Sequence, residues 1–233
     1  MEINRIFGAV YNKENIMKQV LSVLLCLLCS LTLHAQNLKS LFIALPDSLS
    51  PLLTKVNRED FGDFLASDMK AEVRNRFGKT SEMTELTDDY LRLKMSQASE
   101  VEMKLLPVND SVKVICVVHT YAAPAADSHV AFYDTAWREL PAARFLSAPE
   151  EGLFYRIPQN PAQADSLRNL RASADMYLLK AVLDKDNPTL SFVYTTPDYL
   201  DKETAGKLKP YLRKTPVTYE WREGKFVSAD AAR

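Results

Sequence analysis

Hydrophobic positions along the chain change period several times, and each change marks an element. Leu38, Leu41, Phe42 and Leu45 fall at helical spacing, and Pro46 stops that helix. Ser50-Pro51 opens a short helical turn with Pro at the first helical position. Asn57 is expected to cap a longer helix, with Asp60 in a capping-box-like place. Phe61, Phe64, Leu65, Met69, Val73 and Phe77 then trace one apolar stripe that Gly78 ends. From Tyr90 the period becomes two. Leu91, Leu93 and Met95 alternate with Arg92 and Lys94, and Val101, Met103 and Leu105 alternate with Glu102 and Lys104. After the turn Asn109-Asp110-Ser111, Val112 to Tyr121 is apolar on both sides, as in a strand covered on both faces. Val130, Phe132 and Asp134 alternate with Ala131 and Tyr133. These connections are too short for crossovers, so the strands form an antiparallel meander.

The order then returns. Asn160 caps a helix to about Ala172, with Pro161 first and Gln163 at the capping-box position. Tyr177 to Leu183 and Leu190 to Tyr194 read as strands about an Asp186-Asn187-Pro188 turn, and Asp198 to Leu212 as a helical insert. Val217 to Trp221 and Lys225 to Val227 form a hairpin across Glu223-Gly224. Both tryptophans, Trp137 and Trp221, stand in Trp-Arg-Glu after a Tyr-containing strand. The fold expected is α+β: two helix-plus-meander repeats, residues 36–145 and 146–233, forming one antiparallel sheet with helices on one face.

The stretch before these elements has a different character. Met17-Lys18 leads into an apolar run from Val20 to Leu33 and then Ala35-Gln36, the charged head, apolar middle and small-residue exit of a secretory signal peptide. Residues 17–35 are read as that signal, cleaved near Ala35, and residues 1–16 as an over-long start. Leu25 and Leu28 precede Cys26 and Cys29, which is unlike a lipoprotein signal. Export leaves Cys116 as the single cysteine, without a disulfide partner.

Composition narrows function mainly by exclusion. The chain carries 29 Lys and Arg against 30 Asp and Glu, so no nucleic-acid surface is expected. No second apolar run is long enough to cross a membrane. Six glycines without clustering make no phosphate-cradling loop, and no serine stands in a nucleophile motif. His119, Asp127, His129 and Asp134 are close in sequence and form a polar cluster suited to acid–base work, but their spacing matches no metal motif. No metal, cofactor or catalytic residue is assigned. Tyr133, Trp137, Tyr219 and Trp221 form the candidate binding surface, because aromatics bring large contact area with little entropy loss.

Several segments resemble a known family: Pro46-Asp47-Ser48-Leu49, Ser81-Glu-Met-Thr84, Leu86-Thr-Asp-Asp89, Val101-Glu-Met-Lys-Leu-Leu-Pro107, Lys113-Val-Ile-Cys116 and Phe132-Tyr-Asp-Thr-Ala-Trp137. They are similar to an uncharacterised secreted family of Bacteroides-type bacteria, domain of unknown function 3256. The resemblance is densest from Ser81 to Trp137. It implies an exported, periplasmic protein and brings no activity or site. Three functions remain. The first is a non-catalytic binding protein for an envelope protein, peptide or glycan. The second is a carrier of lipid or another apolar ligand, with Phe61, Phe64, Met69 and Phe77 facing a cavity. The third is a hydrolase using the His/Asp cluster.

Overall fold

The computed structural model describes residues 37–229. The expected signal segment, with Cys26, Cys29 and His34, lies outside the described residues. Helix α1 (Leu38–Ile43) is capped by Asn37, whose side chain accepts the Ser40 amide at 2.9 Å. Helix α2 spans Lys55–Ala66. Its cap is Thr54 rather than Asn57. Thr54 Oγ1 accepts the Asn57 amide while Asn57 Oδ1 accepts the Thr54 amide, both at 3.1 Å, so the box closes three residues earlier than the stripe suggests. The helix also ends sooner. Asp68 takes a left-handed φ of 53°, and Val73 of the presumed stripe belongs to strand β1 (Glu72–Arg74). Gly78, at φ 69°, turns the chain into β2 (Thr80–Leu86), a strand whose Glu82 and Glu85 mask its alternation.

A seven-stranded antiparallel meander follows in chain order. It comprises β1, β2, β3 (Tyr90–Ser96), β4 (Ser99–Pro107), β5 (Lys113–Ala122), β6 (Ala126–Asp134) and β7 (Glu139–Leu140). A second sheet contains β8 (Leu179–Leu183), β9 (Thr189–Tyr194), β10 (Val217–Arg222) and β11 (Lys225–Ser228), in the order β11-β10-β9-β8. Helices α3 (Pro161–Ser173) and α4 (Lys202–Leu208) are inserted before β8 and between β9 and β10. Asn160 caps α3, accepting the Gln163 amide at 2.9 Å.

The single sheet expected from the sequence is therefore two sheets, with seven and four strands. Helices α1 and α2 pack on one face of the large sheet, against Leu91, Leu93, Met103, Ile115 and Val117. The small sheet covers the other face, where Cys116, Val118 and Phe132 meet Ala181, Leu190 and Trp221. Leu167 of α3 and Leu208 of α4 share a third cluster with Tyr155, so the helices do not share one face. The two Trp-Arg-Glu triplets also differ locally. Trp137 sits in a turn at φ 62°, whereas Trp221 lies within β10.

Glu102 and Lys104 explain how the sheets join. Both lie in β4 and are almost fully buried, at 2% and 3% exposure. Alternation suggests that they face water, but the second sheet lies on that side. Charged residues at such depth must be paired, and these are. Glu102 Oε1 accepts the Tyr90 hydroxyl at 2.6 Å, and Oε2 accepts the Leu183 amide at 3.2 Å. Lys104 Nζ donates to the Lys185 carbonyl at 2.6 Å and lies 3.3 Å from Asp89 Oδ2. Further along β8, Ser128 Oγ accepts the Ala181 amide at 2.9 Å and Asp127 Oδ1 the Leu179 amide at 3.1 Å. Every second amide of this edge strand thus ends on a side chain of the large sheet. That satisfies the edge and closes it to further strands.

Candidate functional site

On the helical face, α1 and α2 leave a gap. The connecting segment forms an arch across it, and Arg58 of α2, 3% exposed, holds the arch. Its guanidinium donates to the carbonyls of Leu45 (2.6 Å), Leu53 (3.0 Å) and Ile43 (3.4 Å), and to Asp47 Oδ1 (3.2 Å). Asp47 also accepts from Arg76 at 2.6 Å. Hydrogen bonds from Arg58 and Arg76 hold the Asp47 carboxyl below its usual range. No sequence pattern singled out Arg58. The helix around it, Lys55 to Ala66, is rich in charged residues, so nothing in the local pattern marks Arg58 as the buried one.

Beneath the arch lies an apolar pocket of about 110 Å³. Leu45, Leu49 and Leu52 roof it, while Leu93, Met95, Val101 and Met103 form its floor. Glu100, His119 and Tyr121 stand among its lining residues. Glu100 is occupied by Arg92, whose Nε donates to it at 2.8 Å. A concave apolar site with a few polar groups is the usual form of a binding pocket.

His119 links this pocket to the polar cluster read from the sequence. It pairs directly with His129 across β5 and β6, so the two imidazoles occupy one face of the sheet. Burial, reinforced by the neighbouring His129, lowers the His119 pKa and favours the neutral ring. The two aspartates do not complete a catalytic group. Asp127 accepts the Leu179 amide. The alternation of β6 directs Asp134 to the face opposite His129, where it closes the turn to Arg138. Burial pushes the Asp134 carboxyl upward, but hydrogen bonds from the Arg138 amide and guanidinium and the Ala136 amide outweigh it and hold its pKa down. Among the described residues, no three or more His, Cys, Asp or Glu side chains are grouped to hold a metal.

Three of the four candidate aromatics are core residues, and the fourth packs against the core. Trp137 and Trp221 are each 8% exposed and Tyr219 is buried, while Tyr133 is half-buried. Trp137 packs tilted against Tyr133 at 5.7 Å, and its indole donates to the Leu41 carbonyl at 2.9 Å, fixing α1. Trp221 packs against Phe132, Phe145 and Phe226, and its indole donates to the Pro107 carbonyl at 2.6 Å. Each tryptophan therefore ties a distant segment to a sheet. Cys116 is fully buried, and burial pushes its thiol pKa far upward, away from thiolate chemistry. Phe61 is buried, but Met69 and Phe77 are 54% and 74% exposed, so these residues do not share a cavity under α2.

Comparison with known proteins adds a fold relative but no activity. Residues 30–226 match the profile of a family described as "Protein of unknown function (DUF3256)". The fold is similar to the solved structure of a domain of an uncharacterized protein from Porphyromonas gingivalis W83, with a TM-score of 0.72 and 29% identity. The likeness covers 82% of this chain and 96% of that one. No curated protein matches. No helix among the described residues is long and apolar enough to cross a membrane.

Proposed function

The chain belongs to the family of unknown function DUF3256, and from that premise we propose that it is an exported, non-catalytic binding protein that receives one apolar side chain of an envelope polypeptide in the pocket under the α1–α2 arch. The charged, apolar and small-residue pattern of residues 17–35 supports export to the periplasm. The observation that carries the binding reading is the pocket itself, an apolar recess with neutral His119 and exposed Tyr121 among its lining residues.

Size selects the occupant. A volume of 110 Å³ is well below the roughly 300–1,000 Å³ of pockets that enclose drug-sized ligands. It is nearer the engineered cavity of about 150 Å³ that binds benzene. One branched or aromatic side chain fits this space, which favours a polypeptide over the lipid-carrier alternative. The hydrolase alternative needs the histidines and aspartates together, and Asp127 and Asp134 are engaged elsewhere.

Methyl NMR of the methionine-labelled full-length protein tests the reading with N-acetyl-leucine amide as probe. Met95 and Met103 line the pocket, whereas Met69 is exposed away from it. Selective shifts at Met95 and Met103 are expected. Equal shifts at Met69, or none anywhere, overturn the reading, and stronger pocket shifts with decanoate favour the carrier instead.

A further inference from the structure

A second concavity lies in a different part of the molecule, between α3 and the end of α4. It encloses about 590 Å³, within the range of ligand-binding pockets. Gln163, Ser166 and Leu170 of α3 contribute one wall, a spacing that keeps them on one helical face. Lys207 and Tyr211 contribute the other, and the segment Arg156–Gln159 also lines the groove.

Three observations separate this groove from ordinary surface. First, Ile157 is 91% exposed, the most exposed large hydrophobic residue among those described. Its flanks are pinned: Tyr155 bridges Leu212, the Arg156 amide donates to the Tyr211 carbonyl at 2.7 Å, and the Gln159 amide donates to Gln163 Oε1 at 2.9 Å. A held, exposed Ile presents apolar area that a partner can bury. Second, none of the lining residues is acidic, while Arg156 and Lys207 are basic. Lys207 pairs with exposed Glu203 at 2.6 Å, but the Arg156 side chain makes no hydrogen bond or ion pair with any described residue. Third, the α3 wall from Gln163 to Leu170 is about 10 Å long at 1.5 Å per residue, the length of about three residues of extended chain.

We propose that this groove binds a short extended segment of an acidic polypeptide, with a carboxylate on the Arg156 guanidinium and a flanking apolar side chain against Ile157, Leu170 and Tyr211. Arg156 offers a planar fork suited to bidentate carboxylate recognition. Gln163 Oε1 accepts from Gln159 and Ser166 Oγ donates to the Ala162 carbonyl, which leaves the Gln163 side-chain NH2 to donate to the segment's backbone and Ser166 Oγ to accept from it, groups a lipid tail would leave unmet. The site is built from elements other than those of the α1–α2 pocket, so either can fail without the other.

The test is a titration of the full-length ¹⁵N-labelled protein with acetyl-Leu-Glu-Leu-amide, followed by NMR. Shifts centred on Ile157, Gln163, Ser166 and Tyr211 are expected. Acetyl-Leu-Lys-Leu-amide should bind about tenfold more weakly, as should the Glu peptide with Arg156→Gln. Ile157→Asp should weaken binding similarly, and both positions are exposed enough to leave the fold intact. Shifts scattered over the surface, equal affinity for the Glu and Lys peptides, or unchanged binding by Arg156→Gln would each overturn the proposal. So would selective binding of decanoate or oligogalacturonate at the groove in place of the peptide.

Discussion

The large sheet has two covered faces, and they are covered differently. Toward the small sheet, Glu102 and Lys104 are buried and Ser128 is half-buried, and their hydrogen bonds, joined by one from exposed Asp127, run to the facing sheet. Toward the helices, the Trp137 indole ties α1 to the sheet and Ser81 donates to the Met95 carbonyl, but Arg58 holds the arch rather than the sheet, and a pocket remains below it. The small sheet meets the large one mainly where β8 crosses β4, β5 and β6, and there polar groups find fixed partners. Two short helices and an irregular segment cannot tile a sheet so evenly. The small-sheet face is closed, whereas the helical face keeps an apolar gap, the recess on which the proposed binding rests.

Breaking the arch should have the largest effect. Arg58→Ala strands the carbonyls of Ile43, Leu45 and Leu53, while the half-exposed Asp47 keeps its bond from Arg76. A loss of about 3–4 kcal/mol is expected by urea denaturation, because several buried carbonyls lose their donor at once. It should also abolish binding of N-acetyl-leucine amide. Removing the intersheet anchor should rank next. Glu102→Ala leaves the Leu183 amide and Tyr90 hydroxyl without their acceptor, at a cost of about 2–3 kcal/mol, yet pocket binding should persist. Glu102→Gln keeps one acceptor and should cost about 1 kcal/mol.

The two faces should also differ in pH response. Burial raises the Glu102 pKa, and the bonds from Tyr90 and Leu183 only partly offset it. The folded state therefore holds this proton more tightly than the unfolded state. The resulting stabilisation is complete below the unfolded pKa and disappears as pH rises through the raised folded value. Subtracting the Glu102→Gln stability profile from that of the wild type should show this fall. His119 has the opposite sign, because its folded pKa is lowered. Its contribution is present above the unfolded value and is lost as pH falls through the depressed one, which NMR titration of its ring can check.

Filling the pocket should cost little. Val101→Phe, on the pocket floor, is expected to change stability by less than about 1 kcal/mol, because a void is available, while eliminating probe binding. The smallest effect is expected at the surface. Lys185 and Glu85 meet at 2.6 Å with both side chains more than 40% exposed, so Lys185→Ala should cost under about 0.5 kcal/mol.

Much of the fold was legible because local chemistry determined it. The β5 run, the Glu223-Gly224 hairpin and the Asn160 cap each carry their instruction within a few residues. What the sequence hid depends on contacts between distant segments. Period-two alternation cannot say which strands share a sheet, so the division into two sheets is not written in it. Glu102 and Lys104 look solvent-facing until β8, some eighty residues later, arrives above them. Trp137 and Trp221 share a motif, but one occupies a left-handed turn and the other a strand. The candidate site was partly legible. His119 and His129 were expected near one another, and the register pairs them. The pocket was invisible because its roof comes from Leu45–Leu52 and its floor from Leu93–Met103.

The most direct test of the pocket as a docking site is photo-cross-linking in cells that naturally make the protein. A benzophenone amino acid replaces Tyr121, a pocket-lining residue that is 61% exposed. The account predicts a discrete polypeptide adduct that disappears when Val101→Phe fills the recess. An adduct unchanged by the filled pocket, or none with either form, would contradict it.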